Sequence, residues 1–278
     1  MKKLLIFNDV NYHYETIESV IVKYRDIIDI EDTATISIYL HIHSNDNFKT
    51  YICNKYPNII LKKIDDYDYY INCTIYDNDY DRLDKNKSNR KYISHEITER
   101  LKENPNVFFL TPLSEKRIID VDILPYMTNK WTNNIPIFII QGNITEGRRY
   151  YNLLVKLLEK NYMYDFKFKM IGRGLFPKKL EKYKNKIIFK NDLNFTEYHK
   201  EFLDCYCILP LISKTTHPEY YSTKLTSTIN YAKGYNLKCL IDSDLQKIYK
   251  LTNAEVFNDI NDISIVFSKA LSAFYENK

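Results

Sequence analysis

Glycine is scarce in this sequence, with five residues in 278, about a quarter of the usual share of roughly 7%. The first half has none, and the five glycines are Gly142, Gly147, Gly172, Gly174 and Gly234. A sequence with so little glycine is expected to keep it where the backbone approaches a ligand closely or takes a positive φ. We therefore expect the ligand-binding loops in the second half, with Gly234 as an ordinary helix cap.

Cysteine is also limited, with five residues at positions 53, 73, 205, 207 and 239. The number is odd and no Cys-x-x-Cys pair occurs, which argues against a disulfide framework and against a zinc finger. A reducing compartment is the simpler interpretation.

Long apolar runs are absent. The longest, 135–140 and 205–212, fall far short of the roughly 20 residues that cross a bilayer. The run at 4–7 stops at Asn8 and is too short for a signal peptide. The 40 basic side chains nearly balance the 36 acidic ones, so the charge does not call for a nucleic-acid partner. These features predict a cytoplasmic globular protein without a transmembrane segment.

Strand-like and helix-like segments alternate along the second half. We predict strands at 135–141, 166–171, 187–189, 206–210, 238–241 and 255–257, and helices at 149–160, 176–183, 196–203, 222–233, 244–250 and 260–275. In the helix at 149–160, an apolar stripe at helical spacing is formed by Leu153, Leu154, Leu157 and Leu158. Strands separated by helices pair in parallel through right-handed crossovers, which predicts a doubly wound sheet.

The first half follows the same scheme, and the two halves are divided by a polar, aperiodic stretch near 125–134. Its predicted strands are 3–8, 36–40, 59–63, 69–74, 91–94 and 107–110, and its helices are 14–29, 46–55 and 95–103. The fold class is therefore α/β, with two Rossmann-like doubly wound domains at 1–128 and 134–258 that face a cleft. A last helix is predicted at 259–278, and it either packs on the second domain or crosses back to the first.

The sharpest local signal follows the strand at 135–141. Gly142 and Asn143 end that strand, and Arg148 and Arg149 are predicted on the first turn of the next helix. Helix N-termini and guanidinium groups both favour phosphate oxygens, so a diphosphate suits this loop. The alternative is a pair of solvated arginines on an exposed turn. Neither a Walker loop nor Gly-x-Gly-x-x-Gly is present.

Two further segments carry polar or flexible residues at strand ends. Gly172 and Gly174 follow the next strand and permit close contact with a base or sugar. The loop 210–227 places six polar or aromatic residues near one predicted helix N-terminus: His217, Glu219, Tyr221, Lys224, Thr226 and Ser227. The alternative is a helix capped by Ser222 or Thr223 with incidental neighbours.

In this order the three segments resemble the nucleotide-binding half of the GT-B glycosyltransferases, specifically the large retaining family that includes sucrose synthase and bacterial mannosyltransferases. There a strand ends in Gly-Arg, and a Lys six positions after that Gly grips the donor diphosphate. Here Gly142 matches, Asn143 replaces the Arg, and Arg148 stands at the Lys position. The Gly-x-Gly of that family matches Gly172 and Gly174. The resemblance covers roughly residues 135–245.

The resemblance also implies sugar-contacting residues. The Glu-x7-Glu motif of that family aligns with Glu219 and Ser227, so the second Glu is absent here. The resemblance implies a catalytic role for Glu219. It also implies that His95 reaches the donor sugar; the alternative is that His95 is an ordinary surface or helix-start residue. Asp9 and His13, in the loop after the first strand, would face the acceptor or merely shape a turn.

The implied activity is transfer of a sugar from a nucleoside diphosphate sugar to a hydroxyl of a glycan, lipid or protein acceptor. The resemblance alone implies retention of configuration. Arg148, Arg149 and Lys224 would stabilise the departing diphosphate in place of a metal, so no metal or other cofactor is expected. Two alternatives stay open: a degenerate sugar-nucleotide or glycan-binding protein, and a nonhydrolysing sugar-nucleotide epimerase, for which no convincing acid and base pair is evident.

Overall fold

The computed structural model describes residues 1–30, 35–43, 45–110, 112–114, 118–121, 123 and 133–276. Most of the stretch at 125–134 that divides the two halves of the sequence lies outside these residues. The chain forms two compact units. The first comprises Met1–Asp122 with Thr223–Leu225, and the second comprises Ile123–Ser222 with Thr226–Lys278.

The first unit contains a six-stranded parallel sheet. Its strands are β1 (Lys2–Asn8), β2 (Ile36–Ile42), β3 (Ile59–Leu61), β4 (Tyr69–Ile75), β5 (Arg90–Ser94) and β6 (Val107–Phe109), in the order β3-β2-β1-β4-β5-β6. Its helices are α1 (Tyr14–Ile28), α2 (Asp46–Lys55) and α3 (Glu99–Glu103), with a 3-10 turn at Asp77–Arg82. The order reverses direction at β1 and β4, as in doubly wound sheets.

The second unit repeats this plan with a second six-stranded parallel sheet. Its strands are β7 (Ile137–Asn143), β8 (Lys167–Arg173), β9 (Ile187–Asn191), β10 (Cys207–Ile208), β11 (Lys238–Asp242) and β12 (Ala254–Phe257), in the order β12-β11-β10-β7-β8-β9. Its helices are α4 (Tyr151–Glu159), α5 (Phe195–Lys200), α6 (Ser227–Gly234), α7 (Ser243–Tyr249) and α8 (Ile263–Glu276), with 3-10 turns at Glu146–Arg148, Lys178–Lys186 and Pro218–Tyr221. The two sheets confirm the predicted α/β fold class.

The core of the second unit forms around Phe138 on the central strand β7. Its ring lies 4.5 Å from that of Phe267 on α8 and 5.9 Å from that of Phe168 on β8. The predicted apolar stripe of α4 is buried in the same core, including Leu154 and Leu157. Helix α8 therefore belongs to the second unit. The sequence alone left open that this helix crosses back to the first domain.

Several predicted helices differ from the structure; the helix predicted at 95–103, for example, begins only at Glu99. The helix predicted at 222–233 begins only at Ser227, because Pro218 opens a separate 3-10 turn and Lys224 forms an isolated β-bridge with Glu96. The helix predicted from residue 149 begins at Tyr151. The segment predicted as a helix at 176–183 forms the 3-10 turn Lys178–Lys186.

Candidate functional site

The carboxyl ends of β7 and β8 lie side by side in the second unit, where Gly142 pairs with Gly172. Both glycines have positive φ angles, 104° and 142°. A Cβ atom added to Gly172 would lie 1.8 Å from the carbonyl oxygen of Gly142, and one on Gly142 would lie 2.6 Å from Nη2 of Arg149. This sheet edge therefore requires glycine at both positions, and it brings the backbone close to the Arg149 guanidinium.

Arg149 is buried, with 9% of its surface exposed. It stands between the 3-10 turn and α4, with extended backbone angles. Nη1 donates to the Arg148 carbonyl at 3.0 Å and Nη2 donates to the Gln141 carbonyl. Nε makes no hydrogen bond, and the guanidinium forms no ion pair with a described residue. Burial lowers the pKa of Arg149, yet a guanidinium stays charged in proteins.

Arg148 differs from its neighbour because its side chain is exposed. It closes the 3-10 turn, where its backbone N–H donates to the Thr145 carbonyl at 2.9 Å. The prediction that both arginines lie on the first turn of a helix is therefore wrong: both precede α4. The extended backbone at Arg149 sends the two side chains into different environments, one inside the unit and one at its surface.

Sequence reasoning missed Gln141, which is buried at the end of β7. Its Nε2 donates to Thr228 Oγ1 at 2.9 Å and to Ser227 Oγ at 3.4 Å, and its Oε1 accepts from the Tyr198 hydroxyl at 2.5 Å. Gln141 thus joins the glycine edge to the first turn of α6, where Ser227 lies. The only signal in the sequence is a polar residue ending a buried strand.

His217 is buried, with 3% of its surface exposed, and lies just before the 3-10 turn at Pro218–Tyr221. Its Nδ1 lies 2.7 Å from Thr216 Oγ1, whereas Nε2 has no hydrogen-bond partner. Burial lowers the pKa of His217; the Glu219 carboxylate opposes this, and the Arg149 charge adds to it. His217, Glu219 and Arg149 therefore form one electrostatic group in the second unit.

The other predicted residues of this unit are held by specific contacts. Tyr221 donates its hydroxyl to Asp242 at 2.7 Å, and the buried Thr226 donates its backbone N–H to the Tyr249 hydroxyl at 3.1 Å. Asn143 is exposed, and its Oδ1 accepts from the Thr145 N–H at 3.1 Å. Gly174 has a positive φ of 123° one residue beyond β8.

Lys224 lies in the segment Thr223–Leu225, which belongs to the first unit. There the Ile97 N–H donates to the Thr223 carbonyl at 2.9 Å, and Lys224 Nζ lies 3.1 Å from a carboxylate oxygen of Glu96. The helix predicted at 222–233 would place Lys224 in its first turn, whereas α6 begins three residues after Lys224. Its charge is compensated by Glu96 instead.

In the first unit the structure brings His13 and His95 together. Their rings stack with centroids 3.4 Å apart at an interplanar angle of 29°. His13 precedes α1 with a left-handed backbone, and its Nδ1 lies 3.4 Å from Glu15. His95 follows β5, and its Nε2 lies 3.5 Å from Thr16 Oγ1. Burial, together with the neighbouring His13, lowers the pKa of His95 well below its ordinary value.

Asp9 follows β1, and its Oδ1 lies 3.7 Å from His41 Nε2 and 3.9 Å from His43 Nδ1. The side chain of Asp9 is 67% exposed. Among the described residues, no group of three or more His, Cys, Asp or Glu is arranged to hold a metal ion.

The His95 environment predicts a stability that depends on pH. Because its folded pKa is lowered, the unfolded chain binds more protons below about pH 6.5, so stability falls as pH drops. The slope contributed by one such group approaches about 1.4 kcal/mol per pH unit. We expect His95→Gln to flatten the decline in urea-unfolding free energy between pH 6.5 and 5. The exposed His43→Gln serves as the control, and an equal slope in both variants would contradict the assignment.

No protein-family model matches the sequence, and no curated protein matches it. None of the helices in the described part of the chain has the length and apolar content needed to cross a membrane.

Solved structures with the same fold are found, and they are glycosyltransferases of the GT-B class. HepE of Anabaena, crystallised with UDP and glucose, gives a TM-score of 0.60 at 8% identity, covering 99% of this chain and 91% of that one. AviGT4, a glycosyltransferase involved in avilamycin A biosynthesis, gives 0.57 at 8% identity, covering 99% and 96%. The lipopolysaccharide galactosyltransferase WaaB gives 0.53 at 14% identity, covering 99% and 91%. The chain therefore has the GT-B fold.

Proposed function

We propose that this protein transfers a sugar from a nucleoside diphosphate sugar to an acceptor hydroxyl. The GT-B fold is shared with HepE, whose structure holds UDP and glucose, and with the other transferases named above. Because similarity of fold does not fix function, the proposal depends on the chemistry of the glycine edge in the second unit.

The observation that carries the proposal is the buried guanidinium of Arg149. A buried cation without a carboxylate partner is costly, and its Nε lacks any hydrogen-bond partner. An anion placed at the Gly142 edge would supply the missing charge and the missing acceptor. The exposed guanidinium of Arg148 makes no hydrogen bond or ion pair with a described residue and is free to close on the same anion.

A diphosphate is the anion that fits sugar transfer. Negative charge builds on the departing diphosphate as the glycosidic bond breaks, and preorganised guanidinium donors stabilise that charge. We place the diphosphate at Gly142 and Arg149, with the nucleoside towards Gly172, Gly174 and Ser227. This arrangement assigns to Arg148 and Arg149 the charge stabilisation that a divalent metal gives in other transferases.

Glu219 is the carboxylate that we assign to the donor sugar. It lies on the 3-10 turn beside His217 and makes no ion pair with a described residue, so it is available to hold sugar hydroxyls or a developing positive charge. The family resemblance adds His95 on the sugar, the loop with His13 on the acceptor, and retention of configuration. The acceptor hydroxyl belongs to a glycan, lipid or protein.

Nucleotide binding tests this proposal directly. Titration with UDP, GDP and ADP should raise the melting temperature with at least one of them. At a hundredfold excess over Kd, the free energy of unfolding should increase by about 2.7 kcal/mol. The corresponding nucleoside diphosphate sugars should then release free nucleoside diphosphate on incubation. CMP, which carries one phosphate group, is the matched control. If no nucleoside diphosphate stabilises the protein, the proposal fails.

A second candidate, a sugar-nucleotide-binding protein without turnover, is favoured by one observation. Ser227 stands where the resembling family has its second Glu, and its hydroxyl accepts a hydrogen bond from Gln141. The ribose contact of that Glu is then missing. Tight binding of a nucleoside diphosphate sugar, with no release of nucleoside diphosphate over hours, would favour this candidate over the transferase.

A further inference from the structure

The two faces of the first sheet have different chemistry. Leu4, Ile6 and Ile71 on one face are fully buried. The opposite face carries Phe7 beside Asn72 and, two positions earlier along the same strands, Leu5 beside Tyr70, because parallel partners in register project to the same side and side chains alternate between faces. Parallel sheets usually have both faces covered by helices and therefore carry aliphatic side chains on both faces. This second face is aromatic and polar instead.

The connection between β3 and β4 explains why that face stays open. A crossover between parallel strands commonly contains a helix, but residues 62–68 form none. A groove of about 360 Å³ remains on the sheet face, bordered by this connection and by the 3-10 turn Asp77–Arg82. Pockets that bind small ligands have volumes of about 300 to 1,000 Å³. The groove is thus large enough for a small ligand or for one segment of a longer one.

Four neighbouring aromatic rings, the aromatic platform, line the groove; they are not coplanar, and the Tyr92 ring stands at 64° to that of Tyr70. The Tyr70 ring lies 5.4 Å from that of Tyr67, 6.0 Å from that of Phe7 and 6.2 Å from that of Tyr92, measured between centroids. All four side chains line the groove. Aromatic faces carry negative charge density, which attracts the weakly positive C–H groups on the face of a sugar ring.

Polar groups with unused hydrogen-bonding capacity surround these rings. Lys63 lies over the Phe7 ring at 5.6 Å, and it makes no ion pair within the described chain. Arg82 and Asp65 are exposed on the groove and form no hydrogen bond or ion pair with a described residue. Asn72 uses its Oδ1 to accept from the Thr74 N–H at 3.1 Å, which leaves its Nδ2 as a donor.

The charges of the groove do not balance. Arg90 lies 3.7 Å from a carboxylate oxygen of Asp84, which compensates it, and Asp79 accepts the Tyr76 N–H. The groove is lined by three cations, Lys63, Arg82 and Arg90, and by two carboxylates, Asp65 and Asp79, and among the described residues only Arg90 of these cations lies within 4 Å of a carboxylate.

We propose that this groove binds an oligosaccharide that contains an acidic sugar. The aromatic platform holds the faces of the sugar rings, Asn72 and Asp65 bond hydroxyls, and Arg82 with Lys63 pairs with the sugar carboxylate. A neutral acyl chain would bury these charges without compensation. The site goes beyond the proposed transferase activity and does not require it.

Binding of defined oligosaccharides to the full chain tests the proposal. The probes are trigalacturonate, a hyaluronan tetrasaccharide and a sialic acid trimer, with galactotriose as the neutral counterpart, measured by ligand-detected NMR and calorimetry. At least one acidic probe should bind with a Kd below about 1 mM, and galactotriose at least tenfold more weakly. Tyr67→Ala and Arg82→Ala should each weaken the acidic probe at least fivefold.

Matched substitutions outside the groove control for a general loss of binding. Tyr24→Ala on α1 and Lys49→Ala on α2 remove a ring and a cation elsewhere in the unit and should leave the affinity for the acidic probe unchanged. Should Tyr67→Ala fold poorly by circular dichroism, Arg82→Gln replaces it. The proposal is overturned if no acidic probe binds, if the neutral probe binds equally well, or if the groove variants bind normally. None of these outcomes depends on nucleotide binding.

Discussion

Replacing Gly172 with alanine will destabilise the protein by about 3 kcal/mol or more and abolish nucleotide binding. The new Cβ would lie 1.8 Å from the Gly142 carbonyl oxygen, which is backbone on a neighbouring central strand and cannot move aside cheaply. The φ of 142° adds strain for any residue with a side chain. Both effects act at the carboxyl edge where we place the nucleoside. Urea denaturation followed by circular dichroism measures the loss of stability.

Gly147→Ala is the matched control, because a Cβ there meets nothing within 4 Å and φ is not positive. Its free energy of unfolding should change by no more than about 0.5 kcal/mol. If Gly172→Ala proves as stable as Gly147→Ala, the two strand ends do not approach as described. If Gly172→Ala loses stability but keeps its affinity for nucleotide, the ligand binds away from this edge.

The scarcity of glycine was the most informative compositional signal for this edge. It predicted that Gly142 and Gly172 mark close backbone approaches, and the structure has both at positive φ on adjacent strands. The alternation of strands and helices likewise predicted both doubly wound sheets. Such signals succeed because hydrophobic periodicity and backbone strain are local properties of the chain.

The details of the site could be predicted less well. The apolar stripe around Leu154 and Leu157 predicted α4, but periodicity does not show where a helix starts. The sequence therefore could not predict that Arg148 is exposed while Arg149 is buried. The non-helical segment at Lys224 was missed because its backbone bonds to residues about 125 positions away. The roles of Gln141 and Tyr198 depend on tertiary contacts that no local pattern carries.

Replacing Arg149 with methionine should separate ligand affinity from stability. The affinity for the best nucleoside diphosphate should fall about tenfold to a hundredfold, because a charged hydrogen bond contributes about 1.5 to 3 kcal/mol and each 1.4 kcal/mol is a factor of ten. The unfolding free energy of the ligand-free protein should stay within about 1 kcal/mol of the original. The loss of two hydrogen bonds to carbonyls is offset by removal of a buried, unpaired charge.

Related variants sharpen this prediction. Arg149→Lys keeps the charge but loses the planar fork, so it should recover less than half of the lost binding free energy. Arg148→Met removes an exposed guanidinium and should weaken binding only about threefold, whereas Lys156→Met, on α4 and bonded to Asn261, should have no effect. A purely structural Arg149 would give the opposite result: a stability loss of about 3 kcal/mol or more and normal affinity in the molecules that remain folded. The ratio of the two effects therefore decides whether this buried charge serves the fold or the ligand.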